Sequence, residues 1–119
     1  MSPTETEVAQ LFRLVGGHPY LVRRSLHEMK KRHLTIAEVE QEAEREDGLF
    51  SDHLDRMLVA LLTDSEVAES ARRILRGEPC PTKESFARLC AAGVLVGHSQ
   101  SEMRPRCRLY DLFLRRHLP

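Results

Sequence analysis

The sequence predicts a mainly α fold, a small helical bundle followed by a winged-helix domain with a two-stranded β-hairpin. Three observations lead there. Apolar residues recur at three- and four-residue steps over most of the chain. Helix-start signals alternate with Gly and Pro stops. One region only, Val94 to Arg108, replaces that rhythm with two short extended runs around a turn-rich segment.

The first helix is expected from about Glu5 to Val15, with Val8, Leu11, Phe12 and Val15 on one face and Gly16-Gly17 as its stop. The second runs from Pro19 to about Arg32. Val22, Leu26 and Met29 line one side, and Arg23, His27 and Lys30 another, with Arg24 and Lys31 nearby. Thr35-x-x-Glu38 is a capping box for a third helix, which carries Glu38, Glu40, Glu42, Glu44 and Glu46 and fades at Asp47-Gly48. A basic helix beside an acidic one can pair charges across a hairpin, which sets orientation more than stability.

Ser51 or Asp47 can cap a fourth helix through Leu62, striped by Leu54, Leu58, Leu61 and Leu62. Thr63-x-x-Glu66 suggests a second capping box and a fifth helix with Val67, Ala71, Ile74 and Leu75 inward, closed by Gly77 and the prolines at 79 and 81. Thr82 caps a sixth helix, with Phe86, Leu89 and Cys90 inward and Gly93 as its end. Val94-Leu95-Val96 reads as a strand, Gly97 to Glu102 as a turn, and Met103 to Arg108 as the return, confined to an edge by Pro105. A last helix spans about Leu109 to Leu118, with Leu109, Leu112 and Phe113 inward. From Leu54 onward this is the order of a winged-helix module. Two segments result, a helical bundle over 1–48 and the winged helix over 49–119.

Composition excludes several classes. Eighteen basic residues balance 18 acidic ones, so no net field draws nucleic acid or an anionic membrane. No apolar run approaches a membrane span, and the polar, acidic start does not read as a signal peptide. Three unpatterned cysteines, Cys80, Cys90 and Cys107, read as reduced thiols and place the chain in the cytoplasm.

The most informative stretch is Gly16-Gly17-His18-Pro19-Tyr20-Leu21-Val22-Arg23. Two glycines permit a positive-φ turn, and proline suits the first position of a helix. A bare helix N-terminus behind a flexible turn is a place to meet an anion or nucleotide. No G-x-x-x-x-G-K-[ST] phosphate loop occurs anywhere in the sequence. A nucleotide-facing element with no phosphate loop suggests one part of a larger machine.

The run from Leu14 to Arg23, the block Gly48-Leu49-Phe50-Ser51-Asp52-His53-Leu54, and Pro105-Arg106-Cys107-Arg108-Leu109-Tyr110 together resemble the lid and winged-helix region of bacterial AAA-like NTPases of the STAND class. The similarity runs from about Leu11 to Leu118. The resemblance implies an α/β core with Walker motifs in the whole family member, followed by a helical lid and a winged helix. It implies that Gly17-His18-Pro19 is similar to the element packing beside the bound base. It further implies a molecular switch, often in bacterial conflict and immune signalling.

The nucleotide-facing lid motif is therefore expected to comprise Gly16, Gly17, His18, Pro19 and Arg23. ATP or ADP is expected only together with a separate NTPase core, no cofactor with this chain alone, and no catalytic residue is assigned. The expected partner is that core or another protein; the oligomeric state stays open. A winged helix also invites a transcriptional-regulator reading, with Lys83 and Arg88 on the recognition helix and Arg104 and Arg106 in the wing. That supply is thin, Glu84 and Glu102 sit among it, and a protein-contact surface fits it better than DNA. A third reading, self-association, draws on the oppositely charged second and third helices. Cys80, Cys90, His98 and Cys107 lack zinc-site spacing, so no metal is expected. Ser51-Asp52-His53 mimics a hydrolase trio, but catalytic triads are assembled in space, and helix entry explains these residues.

Overall fold

The structure, a computed structural model, describes residues 4–45 and 47–118. Glu46, counted above in the third helix, and the first three residues lie outside them. The described residues form α1 (Glu5–Val15), α2 (Pro19–Arg32), α3 (Ile36–Ala43), α4 (Ser51–Thr63), α5 (Ser65–Leu75), α6 (Lys83–Ala92), β1 (Leu95–Gly97), β2 (Met103–Pro105) and α7 (Arg108–His117). The mainly α class with one hairpin is therefore present, in the expected order. The chain divides into two compact units. One comprises the residues up to His53 with Cys107–Leu109; the other comprises Leu54–Arg106 and the chain from Tyr110 onward.

In the first unit α1, α2 and α3 pack on one another. Thr4 caps α1 in a reciprocal box with Glu7, and Thr35 does the same for α3 with Glu38. Leu11, Leu14, Val15, Leu21, Ile36, Val39 and Phe50 are buried. Charge pairs across the helices as expected at one point, where Arg32 meets Glu42 at 2.8 Å.

Three expectations for this unit are corrected. In α1 the inward residues are Leu11, Leu14 and Val15, while Val8 and Phe12 are exposed. Leu14 takes the inward place, and the Phe12 ring lies instead against Gly17. In α2 the buried line is Leu21, Ser25 and Glu28, one residue off the Val22–Leu26–Met29 line. Gly16 and Gly17 are both left-handed in the turn before α2, and the helix that follows buries Leu21. Its helical period then brings Ser25 and Glu28 along. The helix tolerates them because both are satisfied. The Ser25 hydroxyl donates to the Leu21 carbonyl at 2.7 Å, and Glu28 accepts from Arg24 at 3.1 Å. Finally, α3 stops at Ala43, short of Asp47. The chain folds back so tightly that a Cβ at Gly48 would lie 2.0 Å from the Glu42 carbonyl oxygen, which only glycine permits.

In the second unit α5 packs on α6 and β2, and α6 on β1. The α5 face of Val67, Ala68, Ala71, Ile74 and Leu75 is buried as its spacing requires. Each large apolar side chain fully buried there contributes about 1.5–3 kcal/mol. The cap of α5 differs from expectation. Thr63 is still helical, its hydroxyl donating to the Val59 carbonyl, so Asp64 caps instead and accepts from the Glu66 and Val67 N–H groups. Leu54 and Leu61 of α4 are buried, but Leu62 is exposed. The hairpin is antiparallel, with Leu95 opposite Pro105, Val96 opposite Arg104 and Gly97 opposite Met103. Tyr110 and Leu114 are buried along α7 and Leu118 just beyond its end, with Leu112 and Phe113 at intermediate exposure.

Candidate functional site

The candidate site is built from the chain reversal between α1 and α2. Gly16 closes α1 in the left-handed conformation, with its N–H on the Phe12 carbonyl at 2.7 Å. Gly17 repeats that conformation at φ 70°. A side chain at Gly17 would meet the Phe12 ring at 2.9 Å, so the turn is closed on one side by an aromatic edge. His18 then holds extended backbone as the N-cap of α2, and Pro19 occupies the first turn.

The start of α2 differs from every other helix among the described residues. No side chain caps it, and its first turn holds no acid. The other six each carry an Asp or Glu in the first turn, from Glu5 and Glu7 in α1 to Asp111 in α7. Those acids offset the partial positive charge of a helix N-terminus. At α2 neither a side-chain cap nor a first-turn acid does so. The early N–H groups of a helix have no carbonyl one turn back to accept them.

Aromatic groups flank this end. The Tyr20 ring stacks on the His53 imidazole at 5.3 Å, and the His18 ring meets the same imidazole edge-on at 5.5 Å. Tyr20 remains 44% exposed. Arg23 stands exposed one turn in, on the side of α2 away from Leu21 and Ser25. Gly16, Gly17, His18, Pro19 and Arg23 thus sit together at one helix end. Sequence reasoning missed Tyr20 and His53 as members. The signal was there: each lies inside a motif block quoted above, but they are 33 positions apart in the chain.

The second candidate surface is less coherent. Arg88 is committed to Glu84, at 2.8 Å, and to Asp64. Arg106 reaches over Gly93, the left-handed residue closing α6. Lys83 and Arg104 are exposed. The β1–β2 turn is tied back. The Cys80 N–H donates to the Gln100 carbonyl at 2.7 Å, and the Gln100 amide returns a bond to the Cys80 carbonyl at 3.0 Å. Cys80 and Cys107 are buried, and no group of His, Cys, Asp and Glu among the described residues could hold a metal ion. No helix among them is long and apolar enough to cross a membrane.

Comparison with known proteins bears on this arrangement. A family model described as an AAA-like domain matches residues 1–116. No curated protein and no solved structure matches the chain. With nearly the full length covered, the chain belongs to the AAA-like domain family.

Proposed function

We propose that this chain is a non-catalytic regulatory module of an AAA-like, STAND-class NTPase, its first unit acting as lid and its second as a winged-helix relay. The observation that carries the reading is the start of α2, a glycine-hinged helix end with no cap and no acid, flanked by Tyr20 and His53. Membership of the AAA-like family supplies the context for an adenine nucleotide. The nucleotide would be held by a core domain carrying the phosphate-binding motifs.

The chain's own residues then have distinct roles. Gly16 and Gly17 let α2 reorient against α1 without steric cost. The open N-terminus of α2 offers N–H groups and a positive end to negative charge. Tyr20 and His53 offer a flat aromatic wall beside it. Arg23 adds a long cation one turn further in. The winged helix transmits the lid's position to a protein partner or effector, in a cytoplasmic signalling or bacterial conflict setting.

The helix–hairpin order of the second unit keeps a DNA-binding regulator as the alternative. One of its four expected cations, Arg88, is already paired with Glu84 and Asp64, which weighs against it. Calorimetric titration with ATP and ADP, paired with a phosphate-release assay, tests the main reading. The expected result is no tight binding and no turnover. Sub-micromolar binding with turnover overturns it. Sequence-preferring DNA binding that weakens steeply with salt transfers the assignment to the alternative.

A further inference from the structure

We infer that the outward face of α2 is a docking surface for an acidic, amphipathic segment of a partner protein. The inference does not rest on the nucleotide reading, which concerns the start of α2 and shares Tyr20 and Arg23 with this face. It begins with how α2 distributes charge. Between Pro19 and Arg32 the one acid is Glu28, and the fold turns it inward to 6% exposure. There it is held by Arg24 at 3.1 Å and Arg32 at 3.8 Å, and Arg32 also bonds Glu42. Those two arginines are therefore engaged with acids of their own unit.

The remaining basic residues all face out. Arg23, His27, Lys30 and Lys31 are exposed, and among the described residues none of them pairs with a carboxylate. They stand at i, i+4, i+7 and i+8, which places them in one strip about 12 Å long. Two exposed apolar residues flank the strip. Tyr20 precedes Arg23 by three positions, and Leu26 precedes Lys30 by four. Such a face, apolar and cationic at helical spacing, is complemented by a segment with acidic and apolar residues at the same spacing. A phosphate backbone would answer the cations and leave Leu26 unmatched. The chain's overall neutrality makes the charge of this strip local, so selection rests on the strip itself.

The test is fluorescence anisotropy of the full chain with four synthetic probes. The first is a labelled peptide of Glu and Leu arranged as an amphipathic helix. The others are its scrambled isomer, a poly-glutamate of equal charge and a single-stranded oligonucleotide of equal charge. The amphipathic peptide should bind best, and its affinity should fall with salt. Lys30→Glu with Lys31→Glu should weaken it by about tenfold or more, and Leu26→Ser by a few-fold. Lys30→Gln with Lys31→Gln serves as the gentler variant if the charge reversal unfolds α2. Tighter binding of the oligonucleotide, equal binding of the scrambled peptide, no binding, or unchanged affinity in the folded variants overturns the proposal. Nucleotide titration of the same variants reads the Proposed function separately, since Lys30, Lys31 and Leu26 lie outside the hinge motif.

Discussion

Helices α2 and α5 illustrate two ways of using a short amphipathic segment. In α5 the local preferences largely agree with the fold, Ser70 being the one polar residue on its buried face. Asp64 caps it, Glu66 sits in its first turn, and Val67, Ala71, Ile74 and Leu75 go inward as their spacing asks. In α2 the preferences conflict. Its start is uncapped, its buried line includes Ser25 and Glu28, and Tyr20 and Leu26 face solvent. A segment optimised only for stability would carry a capping residue and an apolar line under its helix. Departures of this kind collect where a protein uses the segment for something besides packing. The contrast is what the proposed recognition role of α2 draws on, with α5 as its packing counterpart.

The comparison is broken most directly in the two cores. Leu21→Ala in the first unit and Leu89→Ala in the second each remove a fully buried side chain. Each is expected to cost about 2–5 kcal/mol in urea denaturation, because a cavity is added to the lost transfer energy. A Leu21→Ala cost well below that range would show α2 to be loosely seated, and its polar buried line would then lack meaning.

Glycine substitutions sharpen the contrast at the next level. At Gly97 a Cβ would lie 2.1 Å from the Glu102 carbonyl oxygen, so Gly97→Ala must displace hairpin backbone. A loss of about 1–3 kcal/mol is expected, read by thermal melting. Gly17→Ala meets only the tip of the Phe12 ring, at 2.9 Å, which can swing aside. Its cost is the left-handed backbone alone, about 1–2 kcal/mol. The hinge should therefore prove the cheaper of the two glycines to fill.

The smallest effect is a pH dependence confined to α3. The Thr35 backbone N–H, and after it the Thr35 hydroxyl, hold the Glu38 carboxyl below the usual carboxylate range. A depressed folded-state pKa means that the stabilisation is complete above the unfolded value. It is lost as pH falls from the usual carboxylate range through the lowered one. Amide exchange of α3 should accelerate over that window, and Glu38→Gln should flatten the response.

Much of the architecture was legible because its signals are local. The bounds of α1 and α2 follow from Gly16-Gly17 and Pro19, and Thr82 and Gly93 mark α6 as read. What the sequence concealed depends on contacts between distant residues. The inward face of α2 carries Ser25 and Glu28 beside Leu21, polar residues that a count of apolar periodicity passes over. The cap of α5 moved from Thr63 to Asp64 because α4 runs one residue longer than its apolar stripe. Glycines at 16 and 17 and Pro19 announced the candidate site, while His53 joined it through a ring contact across 33 positions. In the second unit, the pairing of Arg88 with Asp64 removed a cation that spacing alone had left available.

The central claim is that the α1–α2 hinge faces a nucleotide this chain does not grip by itself. A backbone-resolved NMR titration with magnesium and ADP, carried to millimolar concentration, tests it most directly. The account predicts no saturable binding, with any perturbation confined to residues 16–23 and His53. Saturation in the low micromolar range, or shifts centred on Lys83, Arg88 and Arg104, would contradict it.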